Sequence, residues 1–223
     1  MVQWWVHEQY NMGGPTLVIS WVFWVIFSIT LHELAHGWAA IWQGDKTPRE
    51  TGHMTGNPIV HMGGASLIMF ALIGIAWGLM PTDPSRYRWG RQGRIVVAAA
   101  GPVMNLLLAA ASLIALVIFA NIASTDTTMG GRIVTFFYLG GMLNLVLFGL
   151  NLLPVPPLDG SQILMGLSYR FYVWFQSPSV VQYSFFAVLA VFFLTPLGSW
   201  AFRAAHMSCN AFLGVFGLGM GPV

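Results

Sequence analysis

Residues 9–31, 51–82, 95–125, 133–158 and 171–202 contain no Asp, Glu, Lys or Arg, and each of these runs is dominated by apolar side chains. A helix needs about 20 mostly apolar residues to cross the hydrocarbon core of a bilayer, so several of the runs are long enough. The first predicted span extends from about Pro15 to Trp42 and ends in LHELAHGWAA. A polar, Gly-rich segment follows, GDKTPRETGHMTGNPIVHMGG, and then an apolar run from Ala65 to Met80. The Arg-rich loop Pro81–Arg94 leads into Ile95–Ala120, the cleanest span. Beyond NIASTDTTMGGR, the run Ile133–Leu153 must end as a helix because Pro154, Pro156 and Pro157 follow at once. Asp159–Gly160 opens another helical stretch, and Tyr183–Ala201 is a last span interrupted near Pro196. The tail Met207–Leu218 is too short to cross.

This pattern predicts an all-α membrane protein: a polytopic bundle of about four to six transmembrane segments, with a re-entrant or β-like segment near residues 52–64. No repeat, low-complexity tract or long polar stretch divides the chain, so residues 1–223 read as a single membrane domain.

Composition agrees. Charged residues make up 7% of the chain, against about 25% in soluble domains. That excludes a soluble enzyme and a disordered chain, and the missing basic stripe excludes a nucleic-acid partner. The natural environment is a lipid bilayer. Cys209 is the sole cysteine, so no internal disulfide and no multi-cysteine metal site can form. The N-terminus lacks a basic n-region and a small-residue cleavage site, and Trp4, Trp5 and Tyr10 read as an interfacial anchor.

Within this apolar background, His32, Glu33 and His36 stand out. An ionisable side chain at the bilayer centre costs about 2.5–3.5 kcal/mol on insertion scales, which makes each a functional candidate. Histidines four apart project from one helix face and can share a metal, while the intervening Glu reaches a metal-bound water without ligating. A catalytic zinc needs a third protein ligand. His53, His61, Asp83, Asp126, Asp159 and His206 are the candidates. Asp159 follows a long uncharged run in NLLPVPPLDGS, where irregular backbone is tolerated only if buried or lining a cavity. A cap for the next helix is the alternative reading of Asp159. His53 and His61 read as hydrogen-bonded loop residues, and His206 as an interfacial residue beside Arg203.

The stretches LHELAHGWAAIWQGD, TGNP, AAAGPVMNLLLA and FGLNLLPVPPLDGS, in this order, resemble the site-2 protease family of intramembrane zinc metalloproteases, in particular its compact bacterial branch without an inserted PDZ domain. The resemblance implies one Zn2+ per chain held by His32, His36 and Asp159, with Glu33 as the catalytic base. It marks Asn105 as a cleft residue that positions substrate or an oxyanion. Asn151 and Ser161 are further polar groups that would contact substrate or line a water path. The implied reaction is hydrolysis of a peptide bond in or near the transmembrane helix of a membrane-protein substrate, as in regulated intramembrane proteolysis. The alternative is a zinc-binding, protease-like subunit that assists assembly within a larger membrane complex.

Ligands must share one depth. His36 and Asp159 lie near the C-terminal ends of their spans and Asn105 near the N-terminal end of its own, so residues 42–94 must begin and end on one membrane face. Lys46, Arg49, Arg86, Arg88, Arg91 and Arg94 hold most of the nine basic residues, which predicts that this face is cytoplasmic. The expected location is thus the cell membrane, with the active site toward the cytoplasm and the N-terminus outside.

Overall fold

A computed structural model describes residues 4–125 and 127–218. Among these the chain is helical: α1 (Trp5–Trp42), α2 (Thr47–Glu50), α3 (Pro58–Ile73), α4 (Gly90–Ile122), α5 (Thr128–Asn151), α6 (Asp159–Leu167), α7 (Tyr169–Phe175), α8 (Pro178–Leu194) and α9 (Leu197–Gly214). Helices α1, α4 and α5 are long and apolar enough to cross a membrane. Exposed Ile19 and Phe23 of α1 and Leu107, Ile114 and Ile118 of α4 cover outer faces of those two helices, as lipid requires and water does not. The protein is a polytopic helical membrane protein.

Gly13 and Gly14 leave helical geometry inside α1, and Pro15 starts the membrane-spanning part, since a proline at the first position of a helix loses no hydrogen bond. The three spans pack as one unit, α4 against both α1 and α5. Trp24 of α1 joins Leu139 and Leu143 of α5 in a buried cluster, and its indole N–H donates to the Phe136 carbonyl at 2.8 Å. Lipid supplies little hydrophobic drive between helices, so packing and such polar bonds carry association.

Residues 58–83 form a hairpin. Helix α3 breaks at Gly63 and ends at Gly74, both at positive φ, with its last turn against Trp5. The chain then returns without helix through residues 75–83. Ser66 Oγ donates to the Trp77 carbonyl and accepts from its N–H, and Leu79 N–H donates to the His61 carbonyl at 2.9 Å. The apolar run 65–80 therefore turns back on itself beyond Gly74. The non-helical, extended part lies at 75–83, whereas residues 52–57 make turns and 58–64 already belong to α3. No strand occurs among the described residues.

A buried polar latch closes the hairpin. Asp45, fully buried, accepts from Thr47 N–H and from Asp83 N–H at 2.7 Å. Gln43 accepts Arg88 N–H on its carbonyl and Trp89 N–H on its side chain. Asp83 is held below the usual carboxylate range by the hydroxyl and N–H of Ser85 and by Arg86.

The C-terminal region adds two features to the sequence expectation. Residues 207–214 continue α9 and do not form a separate tail. His206 is also not an isolated interfacial residue: its Nδ1 lies 2.6 Å from the Tyr138 hydroxyl and its Nε2 3.0 Å from Asn210. This polar contact ties α9 to α5.

Candidate metal centre

His32, Glu33 and His36 lie in the last part of α1, all buried. Asp159 is the first residue of α6, directly after the Pro-rich break that stops α5. The break turns the chain so that the Asp159 carboxylate meets both imidazoles. His32 Nε2 is 3.1 Å from Oδ2, His36 Nε2 is 3.3 Å from Oδ1, and the two Nε2 atoms are 3.0 Å apart.

Hydrogen-bond partners set both imidazole tautomers. His36 Nδ1 lies 2.7 Å from the Val97 carbonyl, which can only accept. His32 Nδ1 lies 2.6 Å from Asn105 Oδ1. The Asn105 amide N–H in turn donates to Asn144 Oδ1 at 3.0 Å, and Asn144 donates to the Gly140 carbonyl at 2.9 Å. Both Nδ1 atoms thus carry protons, and both Nε2 lone pairs face each other across 3.0 Å beside a carboxylate. Asp159 Oδ2 is buried without a hydrogen bond, since the His32 Nε2 that faces it presents a lone pair and not a proton. Three converging donors and an orphaned carboxylate oxygen fit a divalent cation with N and O ligands. Among the described residues, this is the group of His and Asp side chains whose ligand atoms all fall within 4.8 Å of one another.

Two glycines bring backbone close to these groups. A Cβ on Gly101 of α4 would meet the His36 and His32 rings, and a Cβ on Gly78 would meet the Glu33 carboxylate. Glu33, His32, His36 and Asp159 line one cavity of about 930 Å³, whose opposite wall is residues 76–80 of the hairpin.

The remaining sequence candidates are distributed as follows. Asn105 lines the same cavity, and its amide is engaged by His32 on the oxygen side and by Asn144 on the nitrogen side, so it orients an imidazole. Asn151 lines the cavity and donates to the Leu147 carbonyl. Ser161 is fully buried and donates to the Leu158 carbonyl; it is not part of the cavity wall. His61 is buried and bonded to the Thr55 carbonyl, His53 to Thr51. Asp126 lies outside the described residues. Sequence reasoning did not find Asn144 or the 76–80 wall. Asn144 carried the same signal as Asn105, an amide inside an uncharged run.

Comparison with known proteins bears on this geometry. The profile of peptidase family M50 matches residues 20–129 and 119–195. YwhC of Bacillus subtilis, which bears the name of a zinc metalloprotease, is 36% identical over 192 residues, covering 83% of each chain. Zinc metalloprotease MJ0392 of Methanocaldococcus jannaschii is 24% identical over 173 residues, which span 75% of this chain and 41% of that longer protein. No solved structure matches. By its profile match and its identity to a relative of similar length, the chain belongs to peptidase family M50, the site-2 proteases, which are membrane zinc metalloproteases.

Proposed function

We propose that this protein, acting as a single membrane domain, hydrolyses a peptide bond in or near the transmembrane segment of a membrane-protein substrate. The observation that carries this reading is the convergence of His32, His36 and Asp159 in a buried cavity that Glu33 also lines. His32, His36 and Asp159 would hold the zinc, which would supply Lewis-acid polarisation of a carbonyl and a more acidic water at neutral pH. Glu33, one residue from His32 and turned about 100° from it, takes the proton from the attacking water on its carboxylate. It then delivers that proton to the leaving amine. Asn105 and Val97 keep the imidazole protons on Nδ1 throughout. The extended 75–83 segment supplies backbone beside which a locally unwound substrate can lie.

The basic residues near the latch and at the start of α4 favour a cytoplasmic placement for that end of the bundle, with the N-terminus outside. A purely structural zinc subunit would have no use for a carboxylate at Glu33, because structural sites need no base.

Cleavage of a single-pass membrane protein by purified, zinc-loaded protein tests the proposal. Glu33→Gln should retain zinc and lose at least about 100-fold in rate. Cleavage by this variant at the wild-type rate would overturn the mechanism.

A further inference from the structure

Among the described residues, Arg94 is the one Lys or Arg in the wall of the cavity that holds Glu33 and the candidate ligands, and the proposed chemistry does not use it. It is half-buried in the second turn of α4. Its Nη1 donates to Gln162 Oε1 at 2.8 Å, and its guanidinium lies 5.4 Å from the centre of the Tyr172 ring. Among the described residues no carboxylate lies within ion-pair distance of it. A guanidinium has five N–H donors, and the contact with Gln162 is the hydrogen bond it makes among the described residues. Arg94, Gln162 and Pro157 also line a second cavity of about 280 Å³, so the Arg94–Gln162 pair forms the partition between the two.

The helix register gives the distance from the chemistry. Gln162 is one turn beyond Asp159 on α6, an axial rise of about 4.5 Å, and Arg94 precedes Gly101 on α4 by about 10 Å. Measured along the helix axes, Arg94 thus stands about 5–10 Å from the level of the imidazoles, on the wall of the same cavity. An extended peptide advances about 3.3 Å per residue, so that distance equals about two or three substrate residues.

We infer that Arg94 is a specificity-determining residue that pairs with a carboxylate of the substrate, an Asp or Glu side chain about two or three residues from the scissile bond. The inference rests on the proposed protease reading. Tyr172 and Gln162 pre-position the planar fork, which reduces the ordering needed when a carboxylate arrives. Charge-assisted pairing away from bulk water is the strong class of hydrogen bond, so the site distinguishes Glu from Gln at that position.

The test measures binding, not turnover. Glu33→Gln protein in zwitterionic nanodiscs is titrated with labelled apolar transmembrane peptides, identical except for one Glu walked along their final turns. Two or three adjacent positions should bind about tenfold or more tighter than the Gln peptide. Arg94→Gln should abolish that preference, Arg94→Lys should retain part of it, and Arg94→Glu should transfer it to peptides carrying Lys there. A flat profile, or an unchanged one in Arg94→Gln, overturns the proposal. Loss of the preference when anionic lipid is added to the discs also overturns it, by assigning the guanidinium to a headgroup phosphate. Cleavage of the Glu-free peptide by protein with Glu33 intact is scored separately, so a failed protease reading shows there and not in the binding profile.

Discussion

Replacing Asn144 with Leu should weaken zinc binding although Asn144 touches no ligand atom of the metal. Its Oδ1 accepts from Asn105, and both amides are fully buried. Without it the Asn105 N–H is orphaned inside hydrocarbon, at a cost of about 1–3 kcal/mol. The cheapest escape is a flip of the Asn105 amide, which aims its N–H at His32 Nδ1. The imidazole must then accept at Nδ1, and its proton moves to Nε2, the atom that faces Asp159. A protonated Nε2 cannot ligate. Partners that fix ligand orientation are worth about 10–100-fold in metal affinity, and that range agrees with the orphan cost. Chelator competition on purified protein reads the affinity directly. Ser112→Ala is the matched control: Ser112 donates to the Phe137 carbonyl across the same α4–α5 contact at 2.8 Å, but it is not linked to His32. Stability should fall in both variants and zinc affinity only in Asn144→Leu. Equal zinc affinity in Asn144→Leu and wild type would refute the tautomer argument.

Asp159→Ala should leave two imidazoles and lower zinc occupancy at least about 10-fold by metal analysis; full occupancy would mean that the third ligand lies elsewhere. Gly101→Ala drives a methyl into both imidazole rings and should reduce zinc content, while Gly149→Ala, whose Cβ meets nothing, should not. With Cys209, fully buried, replaced by Ser, single cysteines at the exposed positions Thr51, Ser85 and Ser124 can be probed on intact cells with an impermeant thiol reagent. Labelling is expected at 124 alone, and labelling at 51 and 85 would invert the proposed orientation.

Three of the five charge-free runs, 9–31, 95–125 and 133–158, hold the helices long enough to cross, while 51–82 and 171–202 fall in shorter helices; Pro15 marked the start of the crossing part of α1. The hairpin was legible only as a depth argument. An apolar run such as 65–80 has the same composition whether it crosses or returns, and the turn depends on Gly63 and Gly74 adopting positive φ. Its extended part could not be located from sequence, because Trp77 and Leu79 are held by Ser66 and His61 through contacts set by tertiary structure. The partner of His206 was hidden for a related reason: a lone His beside an Arg shows nothing in sequence of the second helix that brings Tyr138 to it. The ligand spacing on α1 was fully local and hence visible. Asp159 was conspicuous for its uncharged surroundings, and its approach to the imidazoles required the fold.

Asp45 joins two points 38 residues apart in sequence through its bond to Asp83 N–H. In polymer terms the hairpin is a ring, and the backbone that faces Glu33 belongs to its interior. Closing a ring removes conformations from every residue in it, and the entropic cost grows only logarithmically, by about 0.6 kcal/mol for each doubling of length. The exposed Thr51–Gly52 turn within the ring can therefore gain or lose residues at small cost, provided the closing bond stays intact. Removing the Asp45 carboxylate has the opposite character: it leaves every contact at the metal centre in place and returns that lost freedom to the segment which walls the catalytic cavity.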